Sequence, residues 1–408
     1  MPKRLLYVLF AIVSCIIIFS QCISNGDSKA DLRGPEYAGS ESCASCHKGI
    51  YDSYLATAHY KTSSPGSSGS IKGSFAAADN NFNYTKGLQV KMEDRNGVLS
   101  QTAYYNGTPQ ETHPFDITIG SGRKAQTYLY WKVDKYYQLP VSYFVPAHSW
   151  ANSPGFPADH PKFDRLVPST CFGCHSSGVA LKETQMQGLN ITEAFEKNQV
   201  VYGIDCERCH GPAANHVNFH TEHPQEKKSM YITAIRSLNH LQQLDMCGIC
   251  HSGLRTPQKP ASAFKPGDSL SDYFYPDFTK ATKATEMDVH GTQYQLFTAS
   301  QCFRKSQQMT CSSCHSVHTS EQNKLQVFAQ RCMTCHQEAS HTFCKLKGVP
   351  AADLITNCVD CHMPALPSSK IALLTNGQAS PVPDSIRTHL ITFYEDATQK
   401  ILEKLKKK

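Results

Sequence analysis

The sequence predicts a mainly α-helical and irregular body carrying one small antiparallel β-rich insertion, and three observations support that fold class. Fourteen of the eighteen cysteines fall into seven Cys-x-x-Cys pairs, each followed at once by His. Six of these pairs crowd the chain from Cys171 onward, starting at Cys171, Cys206, Cys247, Cys311, Cys332 and Cys358, separated by 35, 41, 64, 21 and 26 residues. Gaps that short permit one helix and a loop each. Between Phe75 and Pro168 there is no cysteine, and the polarity pattern turns to alternation.

The repeated motif has a chemical reason. Two thiols three residues apart can form thioethers with the two vinyl groups of one haem, and the next His then reaches the iron. The sites are Cys43, Cys46 and His47; Cys171, Cys174 and His175; Cys206, Cys209 and His210; Cys247, Cys250 and His251; Cys311, Cys314 and His315; Cys332, Cys335 and His336; and Cys358, Cys361 and His362. Cys-x-x-Cys also serves zinc and redox-active dithiols. Seven copies, each followed by His on an exported chain, select covalently attached haem c, seven per chain. Much of the core in this half is then expected to be porphyrin rather than aliphatic side chain.

A low-spin electron-transfer haem needs a second strong axial ligand, whereas a haem that binds substrate leaves that position open. Twelve further histidines are available. His59 lies one short helix beyond His47. His216 follows the segment Cys209-His210-Gly211-Pro212. His318 is too close to His315 to share its iron and suits a neighbouring haem. His290, His341 and His389 are the other candidates, and His113, His148, His240 or vacancy compete for the seventh position. His160, His220 and His223 lie in polar stretches and read as surface. None of the nine methionines has a telling context.

In the cysteine-free stretch, Leu88–Met92 and Val98–Tyr105 alternate around Arg95-Asn96-Gly97, a hairpin signal, and a second Asn-Gly turn sits at Asn106-Gly107. Phe115–Ile119, Ala125–Lys132 and Tyr136–Phe144 supply three more β-prone runs. The expected organisation is a signal over 1–21, a tether over 22–36, a first haem module over 37–70, the β-rich insertion over 71–165, a six-haem module over 166–395 and a basic tail over 396–408.

Lys3 and Arg4 precede an apolar run from Leu5 to Phe19, shorter than the ~20 residues that span a bilayer and typical of a secretory signal. Phe19-Ser20-Gln21-Cys22 is similar to a lipoprotein cleavage box, with Gln21 in a position that usually holds a smaller residue. The box at Ile12–Cys15 and an uncleaved anchor are the other readings. All three place the body outside the cytoplasm, in the periplasm or cell envelope, and Cys22 would attach it to a membrane by lipid. The formal charge of +6 falls when Lys3 and Arg4 are removed and again with two propionates per haem. No nucleic-acid patch follows from the basic residues.

Tyr37-Ala-Gly-Ser-Glu-Ser-Cys-Ala-Ser-Cys-His47, with Tyr51, Tyr54 and His59 after it, resembles the start of the cytochrome c-554-like multihaem superfamily. Cys206-Glu-Arg-Cys-His-Gly-Pro212 with His216, Cys311-Ser-Ser-Cys-His-Ser-Val-His318 and Cys358-Val-Asp-Cys-His-Met-Pro364 are similar to other family segments. The resemblance implies a haem-packed multihaem cytochrome with closely stacked, mostly bis-His haems, electron transfer outside the cytoplasm, and redox partner proteins as donor and acceptor. Enzymes of the wider superfamily reduce nitrite or oxidise hydroxylamine, often at a Cys-x-x-Cys-Lys haem, a motif this sequence lacks. An electron carrier is therefore favoured over an oxidoreductase of a small nitrogen or sulfur oxyanion, and no catalytic residue is assigned. Cys302 and Cys344 stand outside the motifs, and in an oxidising compartment they are expected to pair as a disulfide. His341-Thr-Phe-Cys344-Lys345 then reads as an axial ligand beside half a disulfide, not as a degenerate haem site.

Overall fold

The computed structural model describes residues 31–407 except 189, 254, 276–282 and 338–342. Cys22, Cys15 and His341 lie outside the described residues, and so do the predicted signal and the first part of the tether.

The alternating stretch folds as two antiparallel sheets. The larger has nine strands, and seven of them run in the order β1 (Ser63–Pro65), β6 (Ile117–Ile119), β7 (Ala125–Lys132), β9 (Val141–Phe144), β10 (Ser149–Asn152), β14 (Ala365–Thr375) and β15 (Val382–Arg387). The other two, β8 (Lys135–Gln138) and β11 (Arg165–Leu166), pair with each other beside β7. The smaller sheet is a meander of β2 (Asn81–Thr85), β3 (Leu88–Arg95), β4 (Val98–Tyr105) and β5 (Thr108–Pro114). Both Asn-Gly pairs make its turns. Asn96, Gly97, Asn106 and Gly107 all have positive φ, which a two-residue hairpin turn of the right twist requires. Phe82, Val90, Met92 and Leu99 of the meander share one buried core with Tyr128, Tyr130, Leu139, Val141 and Trp150 of the large sheet.

Two expectations need correction. The protein is not mainly α, because fifteen strands are present among the described residues. Nor are the strands confined to 71–165. Residues 63–65, 365–375 and 382–387 complete the large sheet, and β12 (Ser176–Gln187) with β13 (Asn190–Tyr202) forms a long hairpin inside the expected six-haem module. The run read as Tyr136–Phe144 splits into β8 and β9, separated by Leu139-Pro140, because Pro140 has no N–H to donate to a ladder.

The helices are short: α1 (Ser40–Tyr54), α2 (Ser169–His175), α3 (Cys206–His210), α4 (Ala214–Glu222), α5 (His240–His251), α6 (Gln293–Ala299), α7 (Gln301–Ser306), α8 (Leu325–Cys332), α9 (Ala351–His362) and α10 (Glu395–Lys406). The expected basic tail is helical as far as Lys406. α10 turns Thr398, Ile401, Leu402 and Leu405 towards α9 and its haem motif. The tether also ends sooner than expected. Arg33 is buried in ion pairs with Asp31 (2.8 Å), Asp205 (2.7 Å) and Glu207 (3.1 Å).

Candidate haem sites

Motifs two, three, four and seven end a helix on their histidine, and the first straddles a kink in α1 at His47. Residues three apart lie on the same face of a helical turn, so both thiols present together. The helix must then stop so that the imidazole can leave the turn. Gly211, at φ 80°, stops α3 immediately after His210. Asp205 caps the other end by accepting the Arg208 N–H at 2.9 Å. α5 starts with a capping box between Asn239 and Gln242. The fifth motif lies on a 3₁₀ turn over Cys311–Ser313, and the sixth continues from α8 into a turn.

The fold brings motifs together out of sequence order. The Cys43 thiol lies within hydrogen-bonding reach of Cys206, Cys174 of Cys250, and Cys247 of Cys311. The thiol–thiol hydrogen bond lowers Cys206 and Cys250 to about 7 against the upward push of burial, and the same bond together with burial raises Cys43 and Cys174. Arg331 of α8 donates to the Cys314 carbonyl at 2.5 Å, which ties the fifth motif to the sixth. α8 and α9 pack together, and Cys332 acts electrostatically on Cys358. Cys209 interacts electrostatically with Cys250 and Cys247; motif one therefore neighbours three, three and two neighbour four, four neighbours five, five neighbours six, and six neighbours seven.

Histidines far apart in sequence face one another. Ring centres lie 6.1 Å apart for His210 and His318, for His59 and His251, and for His315 and His389. A metal–imidazole bond is about 2 Å and a ring centre lies roughly 1 Å behind its nitrogen, so two imidazoles on opposite faces of one iron have centres about 6 Å apart. His175, His251 and His315 are exposed although the surrounding protein desolvates them, as side walls of an internal slot would be. Burial lowers His59 and His389 to about 4, which keeps these imidazoles neutral, the form that binds a metal. His290 acts electrostatically on His175, as do His47 and His216 on His210.

The second nitrogen orients several rings. Nδ1 of His216 meets the Met230 carbonyl at 2.7 Å, that of His362 the Thr392 carbonyl at 3.0 Å, and that of His210 the Thr233 carbonyl at 3.3 Å. A backbone carbonyl at Nδ1 fixes the tautomer that leaves Nε2 free to ligate. Among the described residues no three His, Cys, Asp or Glu side chains converge as a metal-ion cage would require. The slots between paired rings, each beside two thiols, fit haem.

The three competing histidines have other settings. Nε2 of His240 is engaged by the Met309 carbonyl at 2.6 Å. Nε2 of His113 meets Glu111 at 2.7 Å, and its ring stacks on Tyr130. His148 occupies an exposed left-handed turn position. His220 stands against His216 with 4.6 Å between ring centres, and His223 packs on Phe219.

Cys302 and Cys344 are free thiols, which overturns the expected disulfide. Cys302 lies near Cys332 and Cys335, whereas Cys344 lines a cleft with Cys358, Cys361 and His362. The two belong to different motif surroundings, which sequence separation could not show. The cleft is largely apolar and is walled by Leu354, Ile401 and Leu405.

Sequence reasoning passed over the residues between the third pair of cysteines, Glu207 and Arg208. Both are buried, at 3% and 8% exposure. Glu207 accepts N–H groups from Ala38 (2.9 Å), Gly39 (2.9 Å) and Ala213 (2.8 Å), while Arg208 donates to the carbonyls of Gly173, Ala261 and Phe264. Two opposite charges inside a haem motif were the available signal. Tyr54 was also missed as a site residue. Its hydroxyl donates to the Ile204 carbonyl, and its ring lies edge-on to His318 at 6.4 Å.

Paired thiols at helix ends, with imidazoles facing across slots, are an arrangement suited to covalently attached haem at several motifs. Residues 158–211 match the family described as cytochrome c554 and c-prime. A cytochrome c-552 of Maridesulfovibrio salexigens is 23% identical over 248 residues, 51% of this chain, and the match spans about half of that relative (48%). The crystal structure of the outer cell wall cytochrome OcwA shares the fold, with a TM-score of 0.56 and 19% identity over 88% of this chain and 80% of that one. The chain is thus similar in part of its sequence to cytochromes c554 and c-552, and in fold to a multihaem cytochrome.

Proposed function

We propose that this protein is an exported electron carrier that binds seven haems c, one at each motif, most of them held between two imidazoles. The observation that carries the reading is the set of three His–His pairs at 6.1 Å, each joining a motif histidine to a distant segment. His318 serves the third motif, His59 the fourth and His389 the fifth. His290 is assigned to the second through its proximity to His175, and His216 to the first through its place beside His210 and His47. His341 stays a candidate for motif six or seven. When bound, haem supplies a one-electron iron couple.

The chain's own part is to fix both axial nitrogens, keep the imidazoles neutral and hold the sites at close spacing. Its motif order in space is one, three, four, five, six, seven, with two as a side branch on four. An outer location, a lipid at Cys22 and redox proteins as partners complete the proposal. No helix among the described residues is long and apolar enough to cross a membrane.

The test is the mass of the purified protein together with quantitated EPR. The expected result is seven haems and low-spin signals from the five assigned pairs. Fewer haems, or a high-spin fraction above two of seven, overturns this reading. Such a high-spin fraction with turnover of nitrite, hydroxylamine or tetrathionate would establish the oxidoreductase instead.

A further inference from the structure

We infer that Arg208 is a charge-positioning residue that raises the reduction potential of the haems attached at motifs two, three and four. The inference rests on the haem assignment above and concerns a side chain that takes no part in attachment or ligation. Arg208 lies between the two cysteines of motif three, yet its guanidinium points into the junction with the other two motifs. Nη2 donates to the carbonyl of Gly173, inside motif two, at 3.2 Å, and also to that of Ala261. Nη1 donates to the Phe264 carbonyl at 3.2 Å. Cys174, Cys209 and Cys250, one thiol from each motif, all feel its charge.

The carboxylates that would normally neutralise such a group are committed elsewhere. Asp205 and Glu207 pair with Arg33, at 2.7 and 3.1 Å, and Asp205 meets Arg208 only through its main-chain N–H. Nε of Arg208 is buried with no hydrogen-bond partner. A buried guanidinium held by carbonyl dipoles is a permanent, poorly screened positive charge. Burying it costs free energy that an apolar residue of similar length would avoid. A positive charge beside an iron favours the ferrous over the ferric state, and cluster or haem potentials respond to local charge and burial.

The test uses full-length, haem-loaded protein and two variants. Arg208→Gln keeps N–H donors for the carbonyls and drops the charge; Arg208→Lys keeps the charge and loses the planar fork. Haem content is read first by mass, then each protein is titrated spectroelectrochemically. The expected result is that Arg208→Gln moves at least one component to lower potential by about tenfold in the reduced-to-oxidised ratio, ~59 mV for one electron, while Arg208→Lys stays near wild type. Full haem content with unmoved potentials in Arg208→Gln overturns the role of Arg208 alone. Equal shifts in both variants also overturn it, since charge would not be the cause. A wild-type protein lacking haem at motifs two to four overturns both this inference and the seven-haem reading.

Discussion

The Glu207 side chain makes three backbone connections, as many as its neighbour Arg208. Its carboxylate takes N–H groups from two chain segments and the guanidinium of a third residue, so it locks the first motif's approach onto the third. Burial pushes this carboxyl above its usual range, and the three N–H donors with Arg33 work against that. Glu207→Ala would take one of three carboxylates from Arg33 and leave three amides without their acceptor. Leaving a buried donor unsatisfied costs about 1–3 kcal/mol, so the variant should unfold at a lower denaturant midpoint and be cleaved by protease ahead of Ser40. An unchanged midpoint would show that the N-terminal clamp is dispensable. The motifs themselves were plain in the sequence, since chemistry fixes their spacing. The partner of each histidine was not. His59 sits twelve residues from His47 yet faces His251, because the distance across a haem slot is unrelated to distance along the chain.

At the scale of elements, the two Asn-Gly hairpins were legible because only a few residues tolerate the positive φ they need. The hairpin between β7 and β8 was not, and the reason is its turn. Val133 and Asp134 occupy it with φ of 44° and 61°. A β-branched residue is a genuine outlier there. Val133 is also 78% exposed, so its side chain contributes little packing in compensation. Val133→Asn should therefore stabilise the protein, by roughly 1 kcal/mol from relief of strain. Equilibrium denaturation would check this, and a loss of stability would mean that the valine contacts something the isolated chain does not show. The C-terminal helix was misread for a related reason. Its lysines dominate the composition of 396–408, while the apolar stripe Ile401, Leu402 and Leu405 acquires meaning only against the cleft it covers.

The whole molecule is ordered by which motifs touch, and that order was invisible in the sequence because every motif looks alike. Motif four is the junction: its thiols reach Cys174 of motif two on one side and Cys311 of motif five on the other, and Cys209 of motif three interacts electrostatically with both Cys250 and Cys247. Motif two lies only on a branch. Two matched variants, each lacking one motif, separate these positions. Cys247→Ser with Cys250→Ser removes the junction, whereas Cys171→Ser with Cys174→Ser removes the branch. Each loses one attachment site, so charge and haem content change equally. If the protein is injected with less than one electron per molecule by a fast photoreductant, wild type and the motif-two variant should redistribute it over the remaining sites in one rapid phase. The motif-four variant should redistribute it more slowly, because motifs one and three then reach five, six and seven only through the His318 segment that faces His210. Equal redistribution in the two variants would require another contact between those groups, and the spatial order read from the thiols would have to be redrawn.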